Sequence, residues 1–269
     1  MRPPLAPQAQ PDRVPVESVS FLGIAYTPLD LTEALTVCAA RSADAPFAYV
    51  VTPNADHVVR LNEGGPEADA LRAVYRRAWL CLNDSRIVGA LARLRGVPLP
   101  VCTGADLVAH LVREGHLKAD DPVTVIGGTE AVITALRDQF GLRDLRHHNP
   151  PFGFEHDADA VARCVHVIQE RPARFVLLAV GSPRQERLAA AVAATGRGTG
   201  LALCIGASLE FLTGVKRRAP RWMRRRGLEW LYRLLNEPRR LWRRYLVQSP
   251  RVFLIFLRHT ILRPRSSQS

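Results

Sequence analysis

The chain has 269 residues, enough for one large α/β domain with an appendage, and 47% of them are apolar, which excludes wholesale disorder. Its net charge of +12 is lopsided: from Thr213 onward there are 16 Lys/Arg against two acids, Glu229 and Glu237, while residues 1–212 carry 21 basic and 23 acidic side chains. A near-neutral body with a strongly basic tail seeks an anionic polymer or an anionic membrane. The longest late apolar run, Val252–Leu257, falls far short of the ~20 residues of a spanning helix.

Residues 1–15 are Pro-rich and polar without a hydrophobic core segment, and are expected to form a disordered leader. Strand-like apolar runs then alternate with amphipathic segments. Phe47–Thr52 predicts a strand before a helix around His57–Leu61. Trp79–Leu82 predicts a strand, followed by Asn83-Asp84-Ser85 and a helix through Leu94. Pro100–Thr103 predicts a strand leading to a helix that ends near Val112. Val123–Ile126 leads through Gly127-Gly128-Thr129 to a helix ending near Phe140. Phe175–Val180 leads through Gly181-Ser182-Pro183 to a helix over Gln185–Ala194, and Leu201–Ile205 ends at Gly206-Ala207-Ser208. Repeated strand-then-helix units with continuous apolar strands predict an α/β fold with a mainly parallel sheet and helices on both faces. Ligands of such sheets sit beyond the carboxyl ends of the strands. The turns holding Thr52 and Asn54, Asp84, Thr103 and Asp106, Gly127 and Gly128, Gly181 and Gln185, and Glu210 are therefore expected to share one rim.

Past Gly214 the texture changes. Lys216–Arg221 reads as a basic loop, and Leu228, Leu231, Leu234, Leu235, Leu241, Trp242 and Tyr245 fall near helical spacing. Arg233, Arg240 and Arg244 lie on a second face, and Pro238 should split the segment into two helices. Basic helices with Trp and Leu opposite match an interfacial membrane segment, which composition favours over a nucleic-acid binder. The expected division is a catalytic domain over 16–212, a basic helical appendage over 213–264 and a tail over 265–269.

Gly127-Gly128-Thr129 is either a phosphate-binding turn or merely a tight one. Small residues at Gly181-Ser182 let a ligand approach the backbone, with Arg184 and Gln185 in reach of a diphosphate or sugar; the alternative is a capped helix start. Asp84 ends a strand, where a carboxylate could act as general base on a hydroxyl; from the pattern alone an N-cap is the favoured role. The eight histidines show no metal-ligand spacing, no Asp-x-Asp element occurs, and no metal or other cofactor is expected. Five cysteines without CxxC spacing are expected to be buried free thiols in a reducing compartment.

Several strings together, Thr52-Pro53-Asn54, Cys102–Leu107, Val125–Glu130, Gly181–Glu186, Arg218–Met223, Gly227–Arg233 and Glu237–Arg240, resemble the WecG/TagA/CpsF glycosyltransferase family over roughly Ser18 to Leu257. The resemblance implies a Rossmann-like fold of the GT-E type. It implies an inverting, metal-independent transferase that moves a sugar, often N-acetylmannosamine or its uronic acid, from UDP to a polyprenyl-diphosphate-linked saccharide at the inner face of the cell membrane. Asp84 matches the family's catalytic base, which displaces the capping role, but Ser85 and Arg86 stand where the family usually has glycines. That departure bears on the sugar more than on the reaction class. Thr52 and Asn54 match positions near the base and sugar, Gln185 a substrate contact, and Glu210 replaces an aspartate facing the nucleotide base. Arg233, Arg240 and Arg243 match appendage arginines that close over the diphosphate. Two alternatives remain open: the same chemistry with UDP-glucose in exopolysaccharide assembly, and a basic-tailed nucleic-acid-binding protein. Self-association is left open as well.

Overall fold

A computed structural model describes residues 16–262. The leader expected over 1–15, the end of the appendage and the tail over 265–269 lie outside the described residues. Six strands, β3 (Ala48–Val51), β4 (Leu80–Cys81), β5 (Val123–Ile126), β6 (Leu145–His148), β7 (Phe175–Leu178) and β8 (Leu201–Cys204), form one parallel sheet in the order β4-β3-β8-β7-β5-β6. A small antiparallel hairpin, β1 (Val19–Phe21) and β2 (Ile24–Tyr26), stands apart from it and turns at Leu22 and Gly23, both at positive φ. The expected α/β fold is present.

The sheet is covered twice, and the two-residue side-chain period shows it. Tyr49, Val51, Val176 and Leu178 enter one core, with α2 (Ala55–Leu61), α3 (Pro66–Arg77), α4 (Arg86–Leu94), α7 (Ala158–Gln169), α8 (Arg184–Ala194) and the hairpin. Ala48, Val50, Phe175 and Leu177 enter the other, with α1 (Leu31–Ala39), α5 (Gly104–Arg113), α6 (Glu130–Phe140) and α9 (Ser208–Leu212). Strands buried on both faces can be apolar throughout, which is why they read as continuous runs. Side chains fix several helix starts at the strand ends: Asn54 caps α2, Ser85 caps α4 and Thr103 caps α5.

Two expectations differ from the structure. Pro100–Thr103 joins no ladder, because Pro98 and Pro100 lack the N–H a strand must offer; Cys102 N–H donates to Asn83 O at 2.9 Å, and Thr103 O accepts from Leu107 N–H as α5 begins. β6 is a strand although Leu145-Arg146-His147-His148 is mostly polar, since it lies at the sheet edge and pairs only with β5. All five cysteines are buried free thiols.

The basic tail folds as α10 (Arg221–Arg225), α11 (Glu229–Asn236), α12 (Pro238–Trp242), a π-helical turn over Arg243–Gln248 and α13 (Arg251–Leu262). The break expected at Pro238 occurs at Glu237, with Pro238 opening α12 where its missing N–H costs nothing. α13 returns to the body beside α2: Val252 is fully buried, worth roughly 2 kcal/mol, and the Phe256 ring lies 6.4 Å from that of Phe21. Among the described residues no helix is long and apolar enough to cross a membrane.

Candidate active site

A cavity of about 1020 Å³ opens over the carboxyl ends of β4, β3, β8 and β7, and the tail supplies its other wall. Nine Lys/Arg side chains and four carboxylates line it, so its field favours an anion.

Asp84 sits in the turn after β4. Its N–H donates to Pro53 O at 3.0 Å, and Asn83 Oδ1 accepts from Ser85 N at 3.0 Å while Asn83 Nδ2 donates to Pro100 O at 3.2 Å. This network fixes the backbone of the turn. Ser85 Oγ, not the Asp84 carboxylate, accepts from Val88 N and caps α4. Asp84 is thus released from the capping role, and its side chain faces the cavity. Burial pushes its pKa up to about 7, against the opposing pull of the Arg233 guanidinium, the Gly104 N–H and Arg218, with Glu229 adding to the rise. Gly104 makes the approach of α5 possible, since a Cβ there would lie 3.0 Å from Thr52 Oγ1.

Thr52, Asn54, Thr103, Gly181 and Gln185 line the same cavity, as the turn pattern predicts, and so do Arg233 and Arg240, which the family resemblance pointed to. Gln185 is held on both sides: its Oε1 accepts from Gly206 N at 2.9 Å and its Nε2 donates to Glu186 Oε1 at 3.0 Å. Glu186 is fully buried and its pKa is raised by burial, with its second carboxyl oxygen unpartnered.

Five expected site residues do not line the cavity. Gly127 and Gly128 follow β5, on the far half of the sheet; a Cβ on Gly127 would meet Val180 Cγ1 at 2.8 Å and the Ala179 carbonyl carbon at 3.0 Å, so this glycine serves close packing. Asp106 lies one layer back, where Arg218 Nη1 donates to it at 2.7 Å and Thr103 Oγ1 at 2.8 Å; burial would raise its pKa, but these bonds hold it below the ordinary value. Glu210 is paired with Lys216 at 2.8 Å. Arg243 is exposed where α12 widens into the π-helical turn, and its neighbour Arg244 faces the cavity instead.

Sequence reasoning passed over three further features. Asp56, 7% exposed, binds Arg60 at 2.9 Å and Arg244 at 3.3 Å, joining α2 to the tail. His57 is buried beside it, its Nδ1 3.1 Å from the Tyr75 hydroxyl; burial and the two nearby arginines keep its pKa well below the usual value. Glu229 binds Arg233 at 3.1 Å and Arg218 at 3.5 Å. The Asp56/Arg60 spacing of four on one helix was the available signal for the first.

The site thus combines a parallel α/β sheet, an anion-seeking crevice at its carboxyl edge and a carboxylate, Asp84, that makes no ion pair among the described residues. The sequence profile of the glycosyl transferase WecG/TagA/CpsF family matches residues 19–266. The chain belongs to that family. As a WecG/TagA/CpsF member it is a glycosyltransferase, with a sugar donor and an acceptor as substrates. The match runs past α13 and takes in the basic tail, so the arginines that wall the crevice are part of the family's own extent. Among the described residues no three His, Cys, Asp or Glu side chains come together to hold a metal ion.

Proposed function

We propose that the protein is an inverting transferase that moves a hexosyl group, N-acetylmannosamine or its uronic acid favoured, from UDP to a polyprenyl-diphosphate-linked saccharide in cell-surface polysaccharide assembly. The catalytic body is residues 16–212, and the appendage from 213 completes the site. One observation carries the reading: Asp84, unpaired and of raised proton affinity, shares a cavity with Arg60, Arg218, Arg233, Arg240 and Arg244. Asp84 takes the proton of an acceptor hydroxyl; the oxygen attacks the anomeric carbon from the face opposite UDP, and the bond to the diphosphate breaks with its electron pair on the leaving oxygen. A base with a pKa near the working pH suits that transfer. The charge developing on UDP falls to guanidinium groups, which bind phosphate oxygens in pairs. Thr52 and Asn54 line the cavity with Asp84 and serve the base and the sugar, and Gln185, fixed by Gly206 and Glu186, is set to orient the sugar.

The lipid end of the acceptor finds a matching surface. Leu246 and Phe253 line the cavity mouth and are exposed, and Leu254, Leu257 and Ile261 extend that apolar strip along α13 beside Arg251 and Arg258. Such a face fits peripheral binding to an anionic inner-membrane surface. It supports this reading over the nucleic-acid alternative, because a duplex or single strand offers nothing to cover so many aliphatic side chains.

The test is a donor screen: UDP-ManNAc, UDP-ManNAcA and UDP-glucose with a polyprenyl-diphosphate-GlcNAc analogue. Transfer from one of the first two, with inversion at the anomeric carbon, is the expected result. Transfer from UDP-glucose alone selects the exopolysaccharide alternative, and a retained anomeric configuration would sink the mechanism.

A further inference from the structure

Asp84 makes no ion pair among the described residues, although two of the guanidiniums lining its cavity, those of Arg218 and Arg233, lie near enough to pull on its charge. Both are held elsewhere. Arg233 Nη2 lies 3.1 Å from Glu229 Oε1 and its guanidinium stacks 4.8 Å over the Phe211 ring. Arg218 Nε lies 3.5 Å from the same Glu229 oxygen, while its Nη1 binds Asp106 at 2.7 Å. Glu229 opens α11, so the first turn of that helix carries the carboxylate that both arginines share.

We propose that Glu229 is a positioning residue that keeps Arg218 and Arg233 off Asp84, so that Asp84 remains a proton acceptor in the empty site while both arginines stay poised for the leaving diphosphate. The proposal rests on Asp84 being the general base.

The charged and titratable groups around Asp84 leave Glu229 as the pivot. α11 contributes Glu229 and Arg233, and the segment before α10 contributes Arg218. α5 contributes the Gly104 N–H, with Asp106 behind it, and Arg224 of α10 turns to Asp106 at 3.5 Å. Arg86, at the start of Asp84's own helix, lines the cavity, and Cys102 is a buried thiol whose pKa is raised, first by burial. Asp106 is already engaged by Arg218 and Arg224. Glu237 also lines the cavity and feels Arg233, but it is already bound to Arg240. Removing the Glu229 charge therefore leaves Arg233 without its carboxylate, and Asp84 is the acid of the cavity without an ion pair among the described residues. An arginine paired with a carboxylate lowers its pKa by about 1–3 units. The paired base is also weaker and less free to reach a hydroxyl.

The experiment reads the proton affinity of Asp84 without any substrate. Urea unfolding of the full chain is followed from pH 4 to 9 for wild type, Asp84→Asn, Glu229→Gln and the double variant. The stability difference caused by Asp84→Asn grows from about pH 4 and levels off near 7 in the wild-type background; in the Glu229→Gln background it should level off at least one pH unit lower, and Glu229→Asp should bring that point most of the way back. In transfer assays with UDP-ManNAc, or whichever donor the screen selects, the acid limb of kcat/KM should move down by the same amount. A carboxylate that merely fastens the appendage would lower stability or kcat at every pH with the levelling-off point unmoved, and that result overturns the proposal. If Asp84→Asn itself retained turnover, the general-base reading would fail instead, and the unfolding series, which needs no substrate, keeps the two failures apart.

Discussion

Replacing Asp84 with Asn should make the protein more stable and nearly inactive at once. The carboxyl titrates near 3.8 when unperturbed and at about 7 in the folded chain. The folded state therefore holds a proton that the unfolded state releases, and stability falls as pH rises from about 4 to about 7, then levels off. Three units at about 1.36 kcal/mol each set an upper figure of about 4 kcal/mol, and solvent on the cavity side reduces it to roughly 2. Asn keeps the size of the side chain and an oxygen for the Gly104 N–H, but it carries no charge to desolvate. At pH 8 the variant should melt roughly 4–8 °C above wild type, and at pH 4 the two should coincide. Its transfer rate should drop by about 10²–10⁴, the usual worth of a general base, while UDP affinity stays within about threefold. Thermal melts at both pH values, single-turnover transfer and UDP titration calorimetry measure the three quantities. A variant that melts below wild type at pH 8, or a stability gain of equal size at pH 4, would refute the argument that burial loads this carboxylate.

Three other outcomes follow from the same geometry. Arg233→Ala should lower kcat by about 10²-fold, and Arg233→Lys should recover little of it, because an ammonium cannot bridge two phosphate oxygens; steady-state kinetics at saturating donor reads this. Asp56→Ala strips the shared carboxylate from Arg60 and Arg244 and should cost roughly 3 kcal/mol in urea unfolding, with faster proteolytic cleavage after Leu212 as the tail loosens. Flotation with liposomes containing anionic lipid should recover the wild-type chain at 50 mM salt and lose it as salt rises, whereas Phe253→Ser with Leu257→Ser should stay unbound throughout.

The sheet was legible because strands covered on both faces have no polar positions, so Ala48–Val51, Val123–Ile126, Phe175–Leu178 and Leu201–Cys204 read as unbroken apolar runs. The same logic hid β6, which needs no apolar run at an edge, and the β1–β2 hairpin, whose turn puts Leu22 rather than Asn or Asp at positive φ. Pattern alone could not separate Asp84 from Ser85 as the cap of α4, since both are preferred there; the Asn83 side chain, which binds the Ser85 N–H, is part of what decides it. Helical spacing grouped Arg244 with Arg233 and Arg240, as the cavity does, whereas the family resemblance pointed to Arg243, which the turn into the π-helical segment leaves exposed. The Gly127 turn looked like a phosphate site because a crowded packing contact and an anion cradle ask for the same residue.

The ring contact between Phe21 and Phe256 ties β1 to α13, the first strand and last helix of the described residues. Synthesis runs from one to the other, so a ribosome-bound intermediate can complete the sheet while still lacking one wall of the crevice. A chain halted before Thr213 lacks the side chains that the tail contributes to the cavity, and should hold and turn over its sugar donor poorly.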